Sequence, residues 1–352
     1  MIVSVASGKG GTGKTTIAVN LALALGDSVP VDFLDCDVEE PNAHLFLHPV
    51  LETCEPVTLP VPVVDESKCS GCGICAEVCA FHAILSLGGR AIAFPELCHG
   101  CGGCARFCPE GAISEAPKEI GVLETGWAGA LAGRVGPAAV ATATGMPRPV
   151  VEAGWVRASA GPTAVATAAE VPEPVVVTGA QRGIRFVQGR INIGVALAPP
   201  VVKAVRSKAA PASGAANGAA NRVVIIDSPP GTSCPVVASV KGSDYCVLVT
   251  EPTPFGLNDL MLAVDMVREL AVPFGVVINR AGLGDDKVAA FCTQESIPVL
   301  LEVPFDRRFA ASYARGGQLV RDFPELGDSL RGLWRQIRVA AGPLPEEAET
   351  VQ

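Results

Sequence analysis

The chain alternates short apolar runs with longer mixed segments, and this pattern predicts its fold. Six mainly apolar runs have the length of buried strands, at residues 1–5, 29–34, 222–227, 245–250, 274–279 and 297–303. A segment rich in Ala and Leu, residues 15–25, follows the first run and predicts a helix. Strands that alternate with helices predict an α/β fold with a doubly wound, mostly parallel sheet, whose ligands bind at the carboxyl ends of the strands.

A final amphipathic helix is predicted around residue 330. Its apolar positions recur at helical spacing and arginines take the other face, with Leu330, Leu333, Trp334 and Ile337 opposite Arg331, Arg335 and Arg338. Such a helix either binds a membrane surface or packs on the sheet. We expect packing, because the helix is short and an acidic tail at 346–352 follows it.

Two segments of low complexity interrupt the strand pattern. Residues 126–151 and 154–176 repeat each other, and both contain Gly-Trp, Ala-Gly, Gly-Pro and Ala-Val-Ala-Thr-Ala in that order. We interpret residues 118–182 as a duplicated insert rich in Ala, Gly and Pro, and residues 207–221 as a lengthened surface loop. The scarcity of large side chains favours weak order, so neither segment is expected to carry chemistry.

Length and charge restrict the possible partners and compartment. The chain has 352 residues, enough for a full α/β core and a small satellite domain. A net charge of −9 without a basic block argues against nucleic acid as a partner. No apolar run reaches the roughly 18 residues of a membrane span, and a strand starting at residue 2 leaves no room for a targeting peptide. We therefore expect a cytoplasmic protein without a membrane partner.

The first loop carries a phosphate-binding motif. Residues 8–16 read Gly-Lys-Gly-Gly-Thr-Gly-Lys-Thr-Thr, which meets the pattern G-x-x-x-x-G-K-[ST]. Glycines let backbone N–H groups turn towards phosphate oxygens, and the N-terminus of the next helix faces the same anion. We expect Lys14 to contact the β- and γ-phosphates of ATP and the Thr15 hydroxyl to ligate Mg²⁺. The predicted nucleotide-binding residues of the loop are Gly8, Gly10, Gly11, Thr12, Gly13, Lys14, Thr15 and Thr16.

Two cysteine-rich runs share one spacing. They are Cys69-x₂-Cys72-x₂-Cys75-x₃-Cys79 and Cys98-x₂-Cys101-x₂-Cys104-x₃-Cys108-Pro109. This is the spacing of bacterial two-cluster ferredoxins, in which the fourth cysteine of each run binds the other cluster. We predict two [4Fe–4S] clusters, the first held by Cys69, Cys72, Cys75 and Cys108, and the second by Cys98, Cys101, Cys104 and Cys79.

Zinc and disulfides are the alternatives for these cysteines. Zinc ribbons rarely carry three cysteines at x₂ spacing twice, and disulfides are disfavoured beside a nucleotide site in a chain without a signal peptide. Ala80 stands where the second run has proline, and we expect it to affect only loop rigidity or potential. The remaining five cysteines do not cluster and are interpreted as small buried hydrophobes: Cys36, Cys54, Cys234, Cys246 and Cys292.

A second lysine inside the loop makes the motif more specific. The form Gly-Lys-Gly-Gly-x-Gly-Lys-Thr-Thr resembles the deviant loop of the MinD/Mrp class of P-loop ATPases, which includes the nitrogenase iron protein and arsenite-pump ATPases. The segments 35–42, 189–194 and 227–232 resemble the same class. The resemblance covers the chain up to about residue 129 and again from about 183 to 340. No C-x-x-C pair follows residue 108, whereas Mrp-type carriers use such a pair for a bridging cluster.

The resemblance implies roles for residues at the strand ends. Lys9 would reach the nucleotide of a partner subunit, where a second cation stabilises the transferring phosphoryl group. Lys9, Lys14 and Asp37 would be catalytic, with Asp37 orienting the attacking water. Asp35 and Asp227 would join Thr15 around Mg²⁺, and Gly231 would sense the γ-phosphate. Asn279 would either read the adenine edge or cap the end of its strand, and the loop 304–306 would be a second base contact.

The resemblance also implies an organisation and a function. It places an ATPase at residues 1–60 and 183–345, with a ferredoxin domain inserted at 61–117. We expect ATP to draw two chains together, as a homodimer or as a heterodimer with a paralogue. Three uses of the clusters remain open: electron transfer to a client protein, assembly of an iron–sulfur or metal cofactor on a client, and redox sensing by a spatial regulator.

Overall fold

The computed structural model describes residues 1–129, 183–209 and 222–342, all within one structural unit. Most of the predicted duplicated insert, most of the segment 207–221 and the acidic tail lie outside the described residues.

The described chain alternates strands and helices. The strands are β1 (Ile2–Ser7), β2 (Val31–Asp35), β3 (Val50–Val64), β4 (Ile84–Leu87), β5 (Arg90–Ala93), β6 (Ile113–Ala128), β7 (Ile184–Ile191), β8 (Val223–Pro230), β9 (Tyr245–Thr250), β10 (Phe274–Ala281) and β11 (Val299–Pro304). The helices are α1 (Lys14–Gly26), α2 (His44–Leu47), α3 (Ile74–Glu77), α4 (Gly103–Arg106), α5 (Ala198–Ser207), α6 (Cys234–Val240), α7 (Pro254–Glu269), α8 (Lys287–Gln294), α9 (Arg307–Tyr313), α10 (Leu319–Asp322) and α11 (Pro324–Ala340).

Nine of the described strands form one sheet, in the order β11-β10-β9-β1-β8-β2-β7-β6-β3. The strands from β11 to β7 are parallel to their neighbours, whereas β6 and β3 continue the sheet antiparallel. The strands β4 and β5 pair separately as a hairpin. The predicted α/β fold with a large, mostly parallel sheet is confirmed, and its antiparallel edge is an addition that the sequence did not predict.

Helices cover both faces of the parallel strands. Along β9, Tyr245, Val247 and Val249 belong to the core that contains α1, α10 and α11, while Cys246 and Leu248 belong to the core of α6, α7 and α8. Burial on both faces explains why these strands appear in the sequence as continuous apolar runs.

The strands β3 and β6 form a long ribbon at one edge of the described sheet. They pair from Val50–Trp127 to Val64–Ile113, and the C-terminal half of β6 also pairs with β7. Residues 65–112, between the two strands, contain both cysteine runs. The predicted domain boundaries at residues 60, 117 and 118 therefore fall inside β3 and β6. The first half of β3 is exposed and polar, and prolines at 56, 60 and 62 interrupt its apolar second half, so the sequence did not reveal this strand.

The last helix packs on the sheet, as the sequence predicted. Leu330, Leu333 and Ile337 of α11 are fully buried in the same core as α1. The apolar face that a membrane-binding helix would expose is thus already occupied. Among the described residues, no helix combines the length and apolarity needed to cross a membrane.

Leu330→Ala is predicted to lower the free energy of unfolding by about 2–5 kcal/mol, because it leaves a cavity between α11 and the sheet. The exposed Arg331 of the same helix offers a matched control, and Arg331→Ala should change this free energy by less than about 0.5 kcal/mol. Chemical denaturation followed by circular dichroism measures both values. Equal effects would contradict the packing of α11 described above.

Candidate functional site

The phosphate-binding loop joins β1 to α1 and is held against the end of β10. Gly13 has a φ of 93°, and a Cβ atom there would collide with the side chain of Asn279. Asn279 Nδ2 donates a hydrogen bond to the Thr12 carbonyl at 2.8 Å, and its Oδ1 accepts one from the Arg280 N–H at 3.0 Å. Asn279 therefore fixes the loop, in addition to lining the cavity beside it.

A cavity of about 430 Å³ opens beside the loop. Its polar part contains the predicted residues Gly10, Gly11, Gly13, Lys14, Thr15, Thr16, Asp37 and Asn279, and its apolar part contains Ile17, Val303, Phe309, Tyr313, Leu319, Leu326 and Leu330. The predicted base loop, residues 304–306, lines the same cavity. A cavity with one polar and one apolar part suits a molecule that has a charged tail and a flat ring.

Two other predicted nucleotide-binding residues, Gly8 and Gly231, are not among the residues that line the cavity. Gly8 packs against the backbone of Asp259 in α7, where a Cβ atom would collide. Gly231 follows β8 with a φ of 91°, and its N–H donates to the Ser7 carbonyl at 2.9 Å. This bond joins the end of β8 to the start of the phosphate-binding loop.

Three aspartates share the neighbourhood of the Lys14 ammonium group. Lys14 Nζ lies 2.9 Å from Asp37 Oδ2 and 3.5 Å from Asp227 Oδ1. Asp35 ends β2 and stands in register with Asp227 of β8. Burial alone would lower the pKa of Lys14, but the Asp227 and Asp37 carboxylates outweigh burial and raise it. Lys14 is therefore protonated at neutral pH, and three aspartates surround this one cation.

Two of these carboxyl groups are completely buried. Burial raises the pKa of both Asp35 and Asp227, and repulsion from Asp227 adds to the rise at Asp35. Both Asp227 oxygens and the Thr12 hydroxyl are buried without a hydrogen-bond partner, although Lys14 lies at ionic distance from Asp227. Buried oxygens of this kind beside the Thr15 hydroxyl fit Mg²⁺, a cation that prefers oxygen ligands.

Lys9 forms a separate ion pair at the edge of the loop. Its Nζ lies 2.7 Å from Glu251 Oε1, and the other Glu251 oxygen lies 2.8 Å from Arg280. Arg280 also donates to the Gly11 carbonyl at 3.1 Å. Sequence reasoning missed Glu251 and Arg280. The sequence did contain a signal for Glu251, because this residue directly follows the apolar run 245–250, as Asp35 directly follows the run 29–34.

The eight cysteines of the two runs surround two separate cavities. One cavity is lined by Cys69, Cys72, Cys75 and Cys108, and the other by Cys79, Cys98, Cys101 and Cys104. The structure thus groups them in the crossed manner that their spacing predicts. We call these groups the distal set and the proximal set, because the first lies by the hairpin end of the ribbon and the second lies along β3.

The donor groups in each set suit a four-iron cube. None of the thirteen cysteines, all of which lie in the described ranges, forms a disulfide. Backbone N–H groups donate to sulfur in both sets, such as Ala91 to Cys69 at 3.4 Å and Ala83 to Cys79 at 3.2 Å. Within the described ranges, no three His, Cys, Asp or Glu side chains converge to hold a single metal ion. In a cube each thiolate binds a different iron atom, so the sulfurs stand around a cavity instead of meeting at one point.

The five cysteines outside the runs divide into two groups. Cys36, Cys246 and Cys292 are buried, as interpreted from the sequence, and burial raises the pKa of the Cys246 thiol to about 12. The interpretation is wrong for Cys54 and Cys234, which are exposed. Cys54 lies in the exposed half of β3, and Cys234 begins α6.

Comparison with known families identifies the nucleotide-binding part of the chain. The family model described as the CobQ/CobB/MinD/ParA nucleotide-binding domain matches residues 3–320. The chain is 25% identical to the uncharacterised protein MJ0579 of Methanocaldococcus jannaschii, over 91% of this chain and 92% of that protein. It is also 49% identical to the iron–sulfur cluster carrier protein of Synechocystis over 47 residues, which are 13% of each chain.

Solved structures that align with nearly the whole chain include two MinD proteins. The MinD cell-division ATPase of Pyrococcus furiosus aligns over 96% of this chain and 97% of its own, with 17% identity and a TM-score of 0.46. The septum site-determining protein MinD of Pyrococcus horikoshii, solved with Mg-ADP, aligns over 97% of each chain with 17% identity and a TM-score of 0.47.

The buried carboxyl group of Asp227 should make stability depend on pH. Because folding raises its pKa, the folded chain holds a proton that the unfolded chain has lost, and stability falls as the pH rises above the ordinary aspartate value of about 3.9. Asp227→Asn should therefore raise the unfolding free energy at pH 7 by about 1–3 kcal/mol in buffer free of Mg²⁺ and nucleotide. Thermal denaturation between pH 4 and about pH 8 measures this effect.

The exposed Asp265 of α7 provides the control, since Asp265→Asn should leave the pH profile unchanged. A destabilised Asp227→Asn protein at pH 7 would contradict the description of Asp227 as an acid whose pKa is raised by burial.

Proposed function

The chain belongs to the CobQ/CobB/MinD/ParA nucleotide-binding family, and from this premise we propose that it is a dimeric Mg-ATP-dependent ATPase whose nucleotide site controls two [4Fe–4S] clusters. The clusters would accept electrons from a reductant and pass them to a client protein. One observation carries the proposal: two crossed sets of four cysteines lie on a ribbon that continues the sheet of the nucleotide site.

The acids and lysine at the strand ends support ATP hydrolysis. A γ-phosphate at Lys14 competes with Asp37 for the ammonium group, so binding of ATP frees the Asp37 carboxylate to orient the attacking water. Mg²⁺ would be held by Thr15, with Asp35 and Asp227 in its surroundings, and would balance the excess of carboxylates. Water attacks the γ-phosphorus, the bond to the β-phosphate oxygen breaks, and ADP and phosphate leave.

The position of Lys9 supports a role in a dimer. Lys9 is held by Glu251 in its own chain, outside the group of acids around Lys14. In the proposed dimer, the nucleotide of the partner offers phosphate oxygens that replace Glu251, and Lys9 then neutralises charge on the transferring phosphoryl group. The partner is a second copy or a paralogue, and Gly231 and Asn279 would contact the γ-phosphate and the base in each subunit.

Assembly of a cofactor on a client is the second candidate function. The similarity to an iron–sulfur cluster carrier protein favours it, although this similarity spans only 47 residues. Four cysteine ligands for each cavity favour retained clusters, because a donor of clusters gains from an open or shared ligand position. Transfer of iron to an apo-acceptor on addition of ATP would favour assembly. Reduction and reoxidation without loss of iron would favour electron transfer.

We predict that protein prepared without oxygen contains about eight iron atoms per chain, four for each cube. Cys72→Ala, which removes one ligand of the distal set, should lose up to half of this iron. Cys54→Ala, an exposed cysteine outside both sets, should lose none. Colorimetric iron analysis and electron paramagnetic resonance of the reduced protein measure the result. Iron-free wild-type protein would overturn the proposal.

Mixing two inactive variants tests the dimer. Lys9→Ala should lower hydrolysis by about 10³-fold, as loss of a cation supplied by a partner does elsewhere. Lys14→Ala should abolish hydrolysis in its own site and leave the iron content unchanged. A mixture should recover activity, because the Lys14→Ala chain still supplies Lys9 to the nucleotide bound by the other chain. A mixture as inactive as its components would show that Lys9 does not act across an interface between copies.

A further inference from the structure

We infer that the proximal cysteine set, and not the distal set, is the one that responds to the nucleotide. A continuous series of hydrogen bonds and packing contacts joins Val38, the residue after Asp37, to the proximal set. The distal set contacts the ribbon at its far end, at the pair Val64 and Ile113. This inference rests on the proposed function and specifies which of its two metal sites is regulated.

The connection begins at the nucleotide acids. Val38 directly follows Asp37, and its carbonyl accepts a hydrogen bond from the Ile191 N–H at 2.9 Å. Val38 is almost fully buried, and a Cβ atom at Gly189 would lie 2.9 Å from its side chain. A shift of Asp37 therefore displaces the C-terminal end of β7, because the close packing leaves Val38 no room to move alone.

The connection continues from β7 to the ribbon. The Asn192 N–H donates to the Ile120 carbonyl at 2.9 Å, and Asn192 Nδ2 donates to Glu119 at 3.2 Å. The register of β3 against β6 shifts at this point, between Val57 and Thr58, so that Ile120 is the extra residue of a bulge. A bulge is a place where a strand can change its bend, and Asn192 fixes it to the end of β7.

The ribbon then contacts the proximal set. Leu59 of β3 belongs to the same buried core as Val38 and Ile120. A Cβ atom at Gly100 would lie 2.8 Å from Leu59 Cδ1, so the Leu59 side chain packs closely against the backbone between Cys98 and Cys101. Neighbouring ribbon residues Val61 and Pro62 also contact or line the proximal set.

The distal set has a different support at the equivalent position. The runs Cys69-Ser-Gly-Cys72 and Cys98-His-Gly-Cys101 are alike, and Gly71 and Gly100 have φ values of 70° and 68°. Gly71, however, packs against Gly89 in the turn of the β4–β5 hairpin and not against Leu59. One cysteine loop therefore rests on the ribbon and its counterpart rests on the hairpin.

Hydrogen–deuterium exchange on the iron-loaded protein tests this inference. Addition of Mg²⁺ and a non-hydrolysable ATP analogue should change exchange in residues 98–104 by about fivefold or more, and leave residues 69–75 unchanged. Leu59→Ala should remove most of this response while iron content and nucleotide binding remain. Leu123→Ala is the matched control, since Leu123 is a buried leucine of the same core that is not in contact with Gly100. Asn192→Ala tests the bulge independently and should also weaken the response.

The outcomes separate this inference from the proposed function. A response of both cysteine loops, of the distal loop alone or of neither overturns the inference, even when iron and hydrolysis are present. A response that survives in both Leu59→Ala and Asn192→Ala overturns it as well. Protein without iron overturns the proposed function, and the inference fails with it.

Discussion

A cluster of buried acids that shares a single ammonium group, at the ends of β2 and β8, is the constraint on which the site depends. Asp35, Asp37 and Asp227 share one ammonium group, that of Lys14, in a place where water does not compensate charge. The parallel register that fixes Asp35 beside Asp227 is stabilised by helices on both faces of the sheet. The fold therefore keeps a group of acids where their ionised form is unfavourable, and a divalent cation would stabilise that form.

The antiparallel ribbon connects the sheet that carries these acids to the cysteine segment. Had the cysteine segment been attached by two flexible linkers, the nucleotide site and the cysteines could move independently. Instead β3 and β6 extend the sheet and bear the cysteine sets on the same hydrogen-bonded framework. Many residues of β3 and β6 are exposed to solvent, which explains why these two regular strands carry polar side chains.

Sequence reasoning succeeded where a signal was local. The run 245–250 coincides with β9, because burial on both faces leaves an uninterrupted apolar segment. The cysteine spacing predicted the crossed grouping, since short loops restrict which sulfurs can face one cavity. It failed for β3, where prolines at 56, 60 and 62 argue against a strand although apolar residues alternate from Val57 to Val63. It also failed for Cys54 and Cys234, whose exposure depends on the tertiary structure.

By itself, the sequence determined the phosphate-binding loop, the acids that end its strands and the two cysteine runs, because each is set by neighbours a few residues apart. The tertiary structure alone decided that Glu251 holds Lys9, that Asn192 joins β7 to the bulge in β6, and that Leu59 lies against Gly100. These contacts join residues tens to hundreds of positions apart, and only the register of the folded sheet brings them together.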